Sequence, residues 1–87
     1  MTYSVEFTSS ARKDLKKLDI YTQKIILLWL NKHLEGCANP RVYGKPLAAN
    51  RAGQWRYRIG DYRVIAKIED SILKVLVIAV GHRKKRL

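Results

Sequence analysis

The sequence predicts an α+β fold with the element order β-α-α-β-β-β, in which two N-terminal helices pack on a mostly antiparallel four-stranded sheet. Apolar and polar residues alternate with period two near the N-terminus and again on both sides of Gly60-Asp61, as they do in half-buried strands. The segment between these two regions shows helical periodicity. Residues 72–80, after the second region, form a nearly continuous Val/Ile/Leu run. The 87 residues are expected to form one domain, spanning 1–87.

The first strand and the first helix are predicted from the segment that opens the chain. Aromatic and β-branched residues alternate with polar ones over 2–8, which favours a strand. A helix is predicted over 10–18, because its Ala and Leu residues fall on one face. Ser9 or Ser10 is the expected N-cap, since a serine hydroxyl can accept a hydrogen bond from a free N–H of the first turn.

A second helix is predicted over 20–36, with Asp19 as its N-cap and Gly36 as the residue after its end. Its apolar arc is wider than one packed face requires. Part of that arc is expected to pack on the sheet, and the rest is a candidate docking surface for a protein partner. A fully buried helix is the alternative interpretation.

Three strands are predicted after a long loop at 37–53, which contains both prolines. The segments 54–59 and 62–69 flank Gly60-Asp61, a two-residue hairpin turn with glycine where positive φ is needed. After a short turn, the run at 72–80 predicts a central strand that is covered on both faces and ended by Gly81.

The hairpin groups its arginines on one face of the sheet. A two-residue turn fixes a register in which Arg58 lies opposite Arg63 and Arg56 lies opposite Ile65. Lys67 shares this face, while the other face is apolar and is expected to meet the helices. Like charges opposed across two strands are destabilising, and the planar guanidinium fork binds two phosphate oxygens at once. The cluster therefore predicts a phosphate site, and a solvated edge is the alternative interpretation.

The end of the last strand is predicted to bring a fourth arginine and an imidazole to the arginine cluster of the hairpin. Arg83 follows Gly81-His82 where the sheet is expected to end, and it is predicted to join the other arginines. His82 is a candidate for proton transfer, because imidazole is the side chain that titrates near neutrality. The alternative interpretation of His82 is an ordinary polar surface residue.

The charge balance of the chain indicates a polyanionic partner. Eighteen Lys and Arg against seven Asp and Glu give a net charge of +11, beyond the magnitude of about 2–8 that solubility requires of a small domain. Nucleic acid or an acidic protein explains this excess, and chance is the alternative. A single cysteine excludes an intrachain disulfide and a Cys-pair zinc site. The N-terminus lacks a signal-peptide core, and no apolar run could span a bilayer, so a cytoplasmic protein without membrane attachment is expected.

Two segments carry a resemblance to the RelE family of bacterial toxins, within the RelE/ParE superfamily. They are "NPRVYGKPLAANRAGQWRYRIGDYRVI" at 39–65 and "VLVIAVGHR" at 75–83. The Gly-Lys-x-Leu element, the Arg-x-Arg-x-Gly-Asp-Tyr-Arg hairpin and the Val-Gly-His-Arg ending are specific in combination, although each alone is weak. The resemblance extends along nearly the full chain and implies a single RelE-like toxin domain.

The resemblance implies a ribosome-dependent messenger RNA endoribonuclease that a cognate antitoxin protein holds inactive. In the family, the 2′-hydroxyl attacks the adjacent phosphate of mRNA in the ribosomal A site, with no metal and no other cofactor. The family's basic catalytic positions map to Arg56, Arg58, Arg63 and Arg83, and fixed guanidinium groups suit the charge that develops on the phosphate. Other basic residues near the hairpin and the C-terminus are predicted to bind RNA: Lys45, Arg51, Lys67, Lys84 and Lys85.

The chain departs from the family pattern at its C-terminus. Family members usually carry a tyrosine there that stacks on an RNA base, and the matching place is Leu87. Either His82 performs the acid–base work, or activity is weakened, or the natural chain differs. Two other functions stay open: a ParE-like toxin that poisons DNA gyrase, and a non-catalytic RNA-binding module with salt-dependent affinity. The convergence of the arginines with the Gly-His-Arg ending favours the nuclease.

Overall fold

The computed structural model describes residues 1–47 and 53–82, and it confirms the α+β class with one strand more than the sequence predicts. In this part of the chain the helices are α1 and α2, and short 3₁₀ turns occur at Pro40–Tyr43 and Asp70–Ile72. The bounds of the main elements are β1 Ser4–Phe7, α1 Ser9–Lys16, α2 Ile20–His33, β2 Lys45–Pro46, β3 Gln54–Ile59, β4 Tyr62–Glu69 and β5 Lys74–His82.

The five strands form one mixed sheet in the order β1-β5-β4-β3-β2. β1 runs parallel to β5, whereas every other neighbouring pair is antiparallel. The additional strand, β2, lies inside the segment predicted to be a loop and pairs Lys45 with Arg56 and Pro46 with Trp55. A strand of this length carries no period-two pattern, so sequence periodicity cannot reveal it.

The helix boundaries follow from side chains that satisfy the free N–H groups of the first turns. Thr8, rather than the predicted Ser9 or Ser10, caps α1, and its hydroxyl accepts a hydrogen bond from the N–H of Ala11 at 3.0 Å. Asp19 caps α2 as predicted, and hydrogen bonds from Thr22 lower the pKa of its carboxyl. α2 ends at His33 instead of 36. Neither helix in the described ranges has the length and apolar character to cross a membrane.

The core lies between the helices and one face of the sheet, as the apolar face of the hairpin predicts. Fully buried side chains from α2, from its C-cap and from the three longest strands meet there: Ile26, Leu34, Tyr57, Val64, Val75 and Val77. Burial of such side chains is the main stabilising contribution in a domain of this size. Burial also raises the pKa of Tyr57, whose hydroxyl donates a 2.9 Å hydrogen bond to the carbonyl of Pro40.

β5 continues past the point at which the sequence predicts its end. Gly81 does not terminate the strand, because it pairs with Arg63, and Tyr62 pairs with His82 one step further. A bulge interrupts the β4–β5 register near Ile65. Only the helix-side face of β5 is fully buried, while Leu76 and Ala79 on the other face are half-buried. The prediction of a strand covered on both faces is therefore wrong.

β1 is an edge strand whose outward N–H groups are partly occupied. Glu35 accepts a 2.9 Å hydrogen bond from the N–H of Val5 through its carboxylate, and the carbonyl of Cys37 accepts one from Tyr3. These contacts join the segment after α2 to the edge of the sheet. They reduce the backbone surface that another strand could pair with.

Candidate functional site

The hairpin of β3 and β4 has the predicted register, which places two arginines directly opposite each other. Arg58 pairs with Arg63, and Arg56 pairs with Ile65. All three arginines lie on the sheet face away from the helices, since the paired residues Tyr57 and Val64 point into the core. Arg58 is exposed, whereas the other two arginines are half-buried.

None of these guanidinium groups is neutralised by another residue of the described ranges. The ion pairs in that part of the chain join Arg41 to Asp70 and Lys74 to Glu6. The Nε of Arg63 is buried and has no hydrogen-bond partner there. An unsatisfied buried donor costs about 1–3 kcal/mol, more when the group is charged. An anion bound to the guanidinium groups on this face would reduce the repulsion between them.

Two of the predicted RNA-binding lysines lie on this same face, at different distances from the arginine pair. Lys45 on β2 pairs with Arg56 and so extends the basic cluster across the sheet edge. Lys67 pairs with Gln54 at the far end of the hairpin, four residues from Arg63 along β4, which is about 13 Å in an extended strand. The structure therefore brings Lys45 into the cluster and leaves Lys67 at its margin.

An open cleft of about 320 Å³ lies beside the basic cluster, lined by Val42, Tyr43, Gly44, Lys45, Arg56 and Arg58. It exists because β2 is short. β2 pairs only with Trp55 and Arg56, so no strand within residues 1–47 and 53–82 neighbours β3 on that side at Arg58. The 3₁₀ turn Pro40–Tyr43 forms the opposite wall.

The 3₁₀ turn is fixed by hydrogen bonds to Asp70 and to β3, and Asp70 is in turn bonded to Tyr3. Arg41 binds the Asp70 carboxylate with both terminal nitrogens, at 3.0 and 2.8 Å, and Tyr3 donates to the same carboxylate at 2.6 Å. These bonds, that of Arg41 first, lower the pKa of Asp70 to about 2. The indole N–H of Trp55 donates to the carbonyl of Arg41 at 3.1 Å. No local sequence pattern predicts this network, because its partners are 29 and 67 positions apart in the chain.

Gly44 lets the end of this turn approach β3 closely. A Cβ on Gly44 would lie 2.3 Å from the carbonyl oxygen of Arg56 and 2.7 Å from the ring of Tyr57. Any side chain at this position would push the cleft wall away from the strand that carries the arginines. The Gly-Lys-x-Leu element thus has a steric basis.

His82 lies on the other face of the sheet from the arginines. It pairs with Tyr62, and the two rings pack edge to face with centroids 5.2 Å apart on the helix side. The expected juxtaposition with the arginines is not found, because alternation along β5 puts Gly81, not His82, beside Arg63. His33, assigned no role from the sequence, packs between Trp29 and Tyr43.

Several predicted site residues fall in segments that the structure leaves undescribed. These are Arg51, Arg83, Lys84 and Lys85, for which the assigned roles stay predictions. Within residues 1–47 and 53–82, no group of three or more His, Cys, Asp or Glu side chains could hold a metal ion. Burial raises the pKa of the Cys37 thiol.

A second surface with potential for binding is the outer side of α2. Leu28 is 68% exposed and Leu27 lies beside it, together with Ile20 and Tyr21 nearer the start of the helix. Shallow apolar grooves continue from Leu27 toward Lys24 on one side and toward β1 on the other. The exposure of these residues agrees with the surplus apolar arc in the sequence and excludes a fully buried helix.

Comparisons with known proteins agree on one family. A model of the ParE toxin of the parDE type II toxin–antitoxin system matches residues 5–87. Toxin RelG of Mycobacterium tuberculosis is 35% identical over 83 residues, which cover 95% of this chain and 93% of RelG. A chain of the toxin–antitoxin complex RelBE2 from the same organism superposes with a TM-score of 0.85 at 33% identity, covering 98% of this chain and 95% of that chain. A mutant of Escherichia coli toxin RelE in the free state has the same fold, with a TM-score of 0.77 at 24% identity over 94% of this chain and 84% of its own.

Proposed function

The chain belongs to the RelE family of toxins from type II toxin–antitoxin systems, and we propose that it is an endoribonuclease that cleaves messenger RNA in the ribosomal A site. The observation that carries this proposal is the direct opposition of Arg58 and Arg63 with no neutralising group among the described residues. A scissile phosphate is an anion that would satisfy both groups. The cluster also lies beside an open cleft, so a polymer can reach it.

The proposed reaction is an internal transfer at phosphorus. The 2′-oxygen forms a bond to the adjacent phosphorus and loses its proton, the bond to the 5′-oxygen breaks, and that oxygen gains a proton. The products are a cyclic phosphate and a free 5′-hydroxyl. Arg58 and Arg63 would stabilise the added negative charge on the phosphate, because the hairpin register holds the two residues opposite each other before the reaction begins.

The other basic residues would hold the RNA strand around the scissile phosphate. Arg56 and Lys45 extend the cluster toward the cleft, and Arg83 is the proposed fourth catalytic arginine. Lys67, Arg51, Lys84 and Lys85 are the proposed outer contacts to RNA. Arginine is a poor general base, and His82 lies on the opposite face of the sheet from the arginine pair, so we do not assign it the proton transfer.

An acidic antitoxin is the second proposed partner. RelBE2 of M. tuberculosis is a toxin–antitoxin complex, and a chain with a net charge of +11 would attract an acidic protein rapidly. The exposed apolar side of α2 is the proposed hydrophobic anchor. Replacing Leu28 by Asp should weaken antitoxin binding at least tenfold, measured by calorimetry, because the anchor would bury a charge. Ile72, 56% exposed at the distant β4–β5 turn, gives the matched control I72D, and equal affinities of both variants would contradict the assignment.

Primer extension on a defined mRNA tests the proposed nuclease. The purified protein should produce new 5′ ends in the A-site codon only when programmed ribosomes are present. The double variant R58A/R63A should produce none. K16A/K17A removes the same charge from exposed positions at the end of α1 and should cleave normally. Cleavage by R58A/R63A at the wild-type rate would refute the role of the arginine pair.

Inhibition of DNA gyrase is the second candidate, because the family model that matches the chain is that of the ParE toxin. A gyrase poison of this fold would bind its target without cutting RNA. A supercoiling assay distinguishes the two functions: loss of supercoiling at stoichiometric toxin, with no ribosome-dependent 5′ ends, would replace the nuclease proposal.

A further inference from the structure

The cleft beside the arginines has one wall that phosphate binding does not explain. Tyr43 is 42% exposed and Val42 is 65% exposed, and both side chains line the cleft. The remaining side chains of its lining are the basic ones of Lys45, Arg56 and Arg58. An apolar wall therefore faces a cationic wall within a single cleft.

The Tyr43 ring packs on other aromatic side chains on the side away from the cleft. It contacts the ring of His33 at a centroid distance of 5.2 Å, and His33 in turn packs on Trp29 at 4.6 Å. The backbone on both sides of the ring is also fixed, by the bonds of Arg41 to Asp70 and by the tight packing of Gly44 on β3. The side chain is thus presented to the cleft at small cost in conformational entropy upon binding.

We propose that this cleft is a nucleoside subsite, in which a base of single-stranded RNA stacks on Tyr43 beside Val42 while its phosphate binds Arg56 and Arg58. The inference rests on the proposed RNA substrate. A nucleotide combines a planar aromatic face with a nearby anion, which is the combination that the two walls offer. Stacking of unpaired bases on tyrosine is a common mode of RNA recognition, and it tolerates different bases because each has a π-face.

Binding of uncleavable oligomers tests the subsite separately from catalysis. The probes are a fluorescein-labelled 2′-O-methyl hexa-adenylate and an abasic oligomer with the same number of phosphates, measured by fluorescence anisotropy at fixed salt. Y43A should bind the hexa-adenylate about tenfold more weakly than the wild type, as expected for the loss of one stacked base. Its affinity for the abasic oligomer should be unchanged, which would also show that the variant is folded.

Two further variants separate stacking from other effects. Y43F keeps the ring and should bind as the wild type does. Tyr21 is 73% exposed on α2, so Y21A removes an equally large ring at a site remote from the cleft and should leave both affinities unchanged. K45A should weaken the binding of both oligomers, because it removes a charge and leaves the ring in place.

The outcomes distinguish this inference from the proposed nuclease activity. Equal affinity of wild type and Y43A for the hexa-adenylate would overturn the subsite, even if ribosome-dependent cleavage is found. Base-dependent binding that Y43A loses would support the subsite, even if no cleavage is detected on ribosomes. Loss of antitoxin binding by Y43A with unchanged RNA affinity would assign the apolar wall to the protein partner and overturn the inference.

Discussion

Neutralising one arginine of the opposed pair should stabilise the protein while impairing its proposed function. We choose Arg58→Gln, because glutamine keeps much of the side-chain length on β3 and removes the charge. Arg58 is exposed and has no ion-pair partner among the described residues, so the substitution breaks no observed salt bridge. The cross-strand contact with Arg63 is the interaction that changes.

The expected gain follows from the repulsion across the hairpin. Cross-strand side-chain pairs contribute about 0.2–1 kcal/mol, and like charges are unfavourable. Coulomb's law gives a similar figure, about 0.5 kcal/mol for unit charges ~8 Å apart in a water-like medium. For a domain of this length a change of about 0.5 kcal/mol raises Tm by roughly 2–4 °C.

A double-mutant cycle of R58Q, R63Q and R58Q/R63Q measures the pairwise energy by urea denaturation followed by tryptophan fluorescence. We expect a repulsive coupling of about 0.5 kcal/mol that shrinks as sodium chloride is added. K67Q removes one charge from the same face at a position opposite Gln54, and it should show a much smaller salt-dependent gain. A coupling of zero, or an R58Q variant less stable than the wild type, would refute the view that the pair is strained until an anion binds.

Two further predictions concern the wall of the cleft. Gly44→Ala should lower the free energy of unfolding by about 1–3 kcal/mol, because the added methyl group overpacks against β3. Gly60 has open space around it but a φ of +58°. Gly60→Ala should therefore lower the free energy of unfolding by about 1–2 kcal/mol through backbone conformation alone, and it should leave RNA binding unchanged. If G44A and G60A bind RNA with equal affinity, the role of Gly44 in positioning the cleft wall is contradicted. The pKa of Asp70 is lowered from 3.8 to about 2 in the folded state, so the stabilisation by its carboxylate is complete above about pH 4 and is lost as the pH falls toward 2. D70N should be less stable than the wild type at pH 7, and its stability should lack this pH dependence. Equal stability of D70N and wild type at pH 7 would contradict a stabilising role of Asp70.

The hairpin could be predicted in full because its determinants are local. A two-residue turn with glycine at positive φ fixes the register, and alternation then assigns every side chain to a face. The positions of Arg58 and Arg63 follow from that register alone. The N-cap of α1 was missed by one residue, because Thr8, Ser9 and Ser10 are chemically equivalent caps and only the backbone of β1 decides among them.

The cleft could not be predicted because it depends on contacts between distant segments. The hydrogen bonds of Asp70 with Arg41 and Tyr3 join distant residues and give no periodic pattern in the sequence. β2 is also too short to show an alternating pattern. The position of His82 was misjudged for a different reason. The glycine at 81 predicts the end of β5, whereas the strand continues and puts the imidazole on Tyr62 and away from the arginines.

The place of β5 between β1 and β4 also controls when the protein can fold during its own synthesis. β1 is made first but hydrogen-bonds only to β5 within the described sheet, and closing such a non-local pair is slow. Pulse-labelling hydrogen exchange should therefore show the Ser4 amide, which donates to the carbonyl of Leu73, unprotected in chains arrested after residue 69, and protection there would contradict this order. Residues 74–82 must leave the ribosome before the sheet closes, so a nascent chain that stops before β5 cannot carry the completed fold of a toxin.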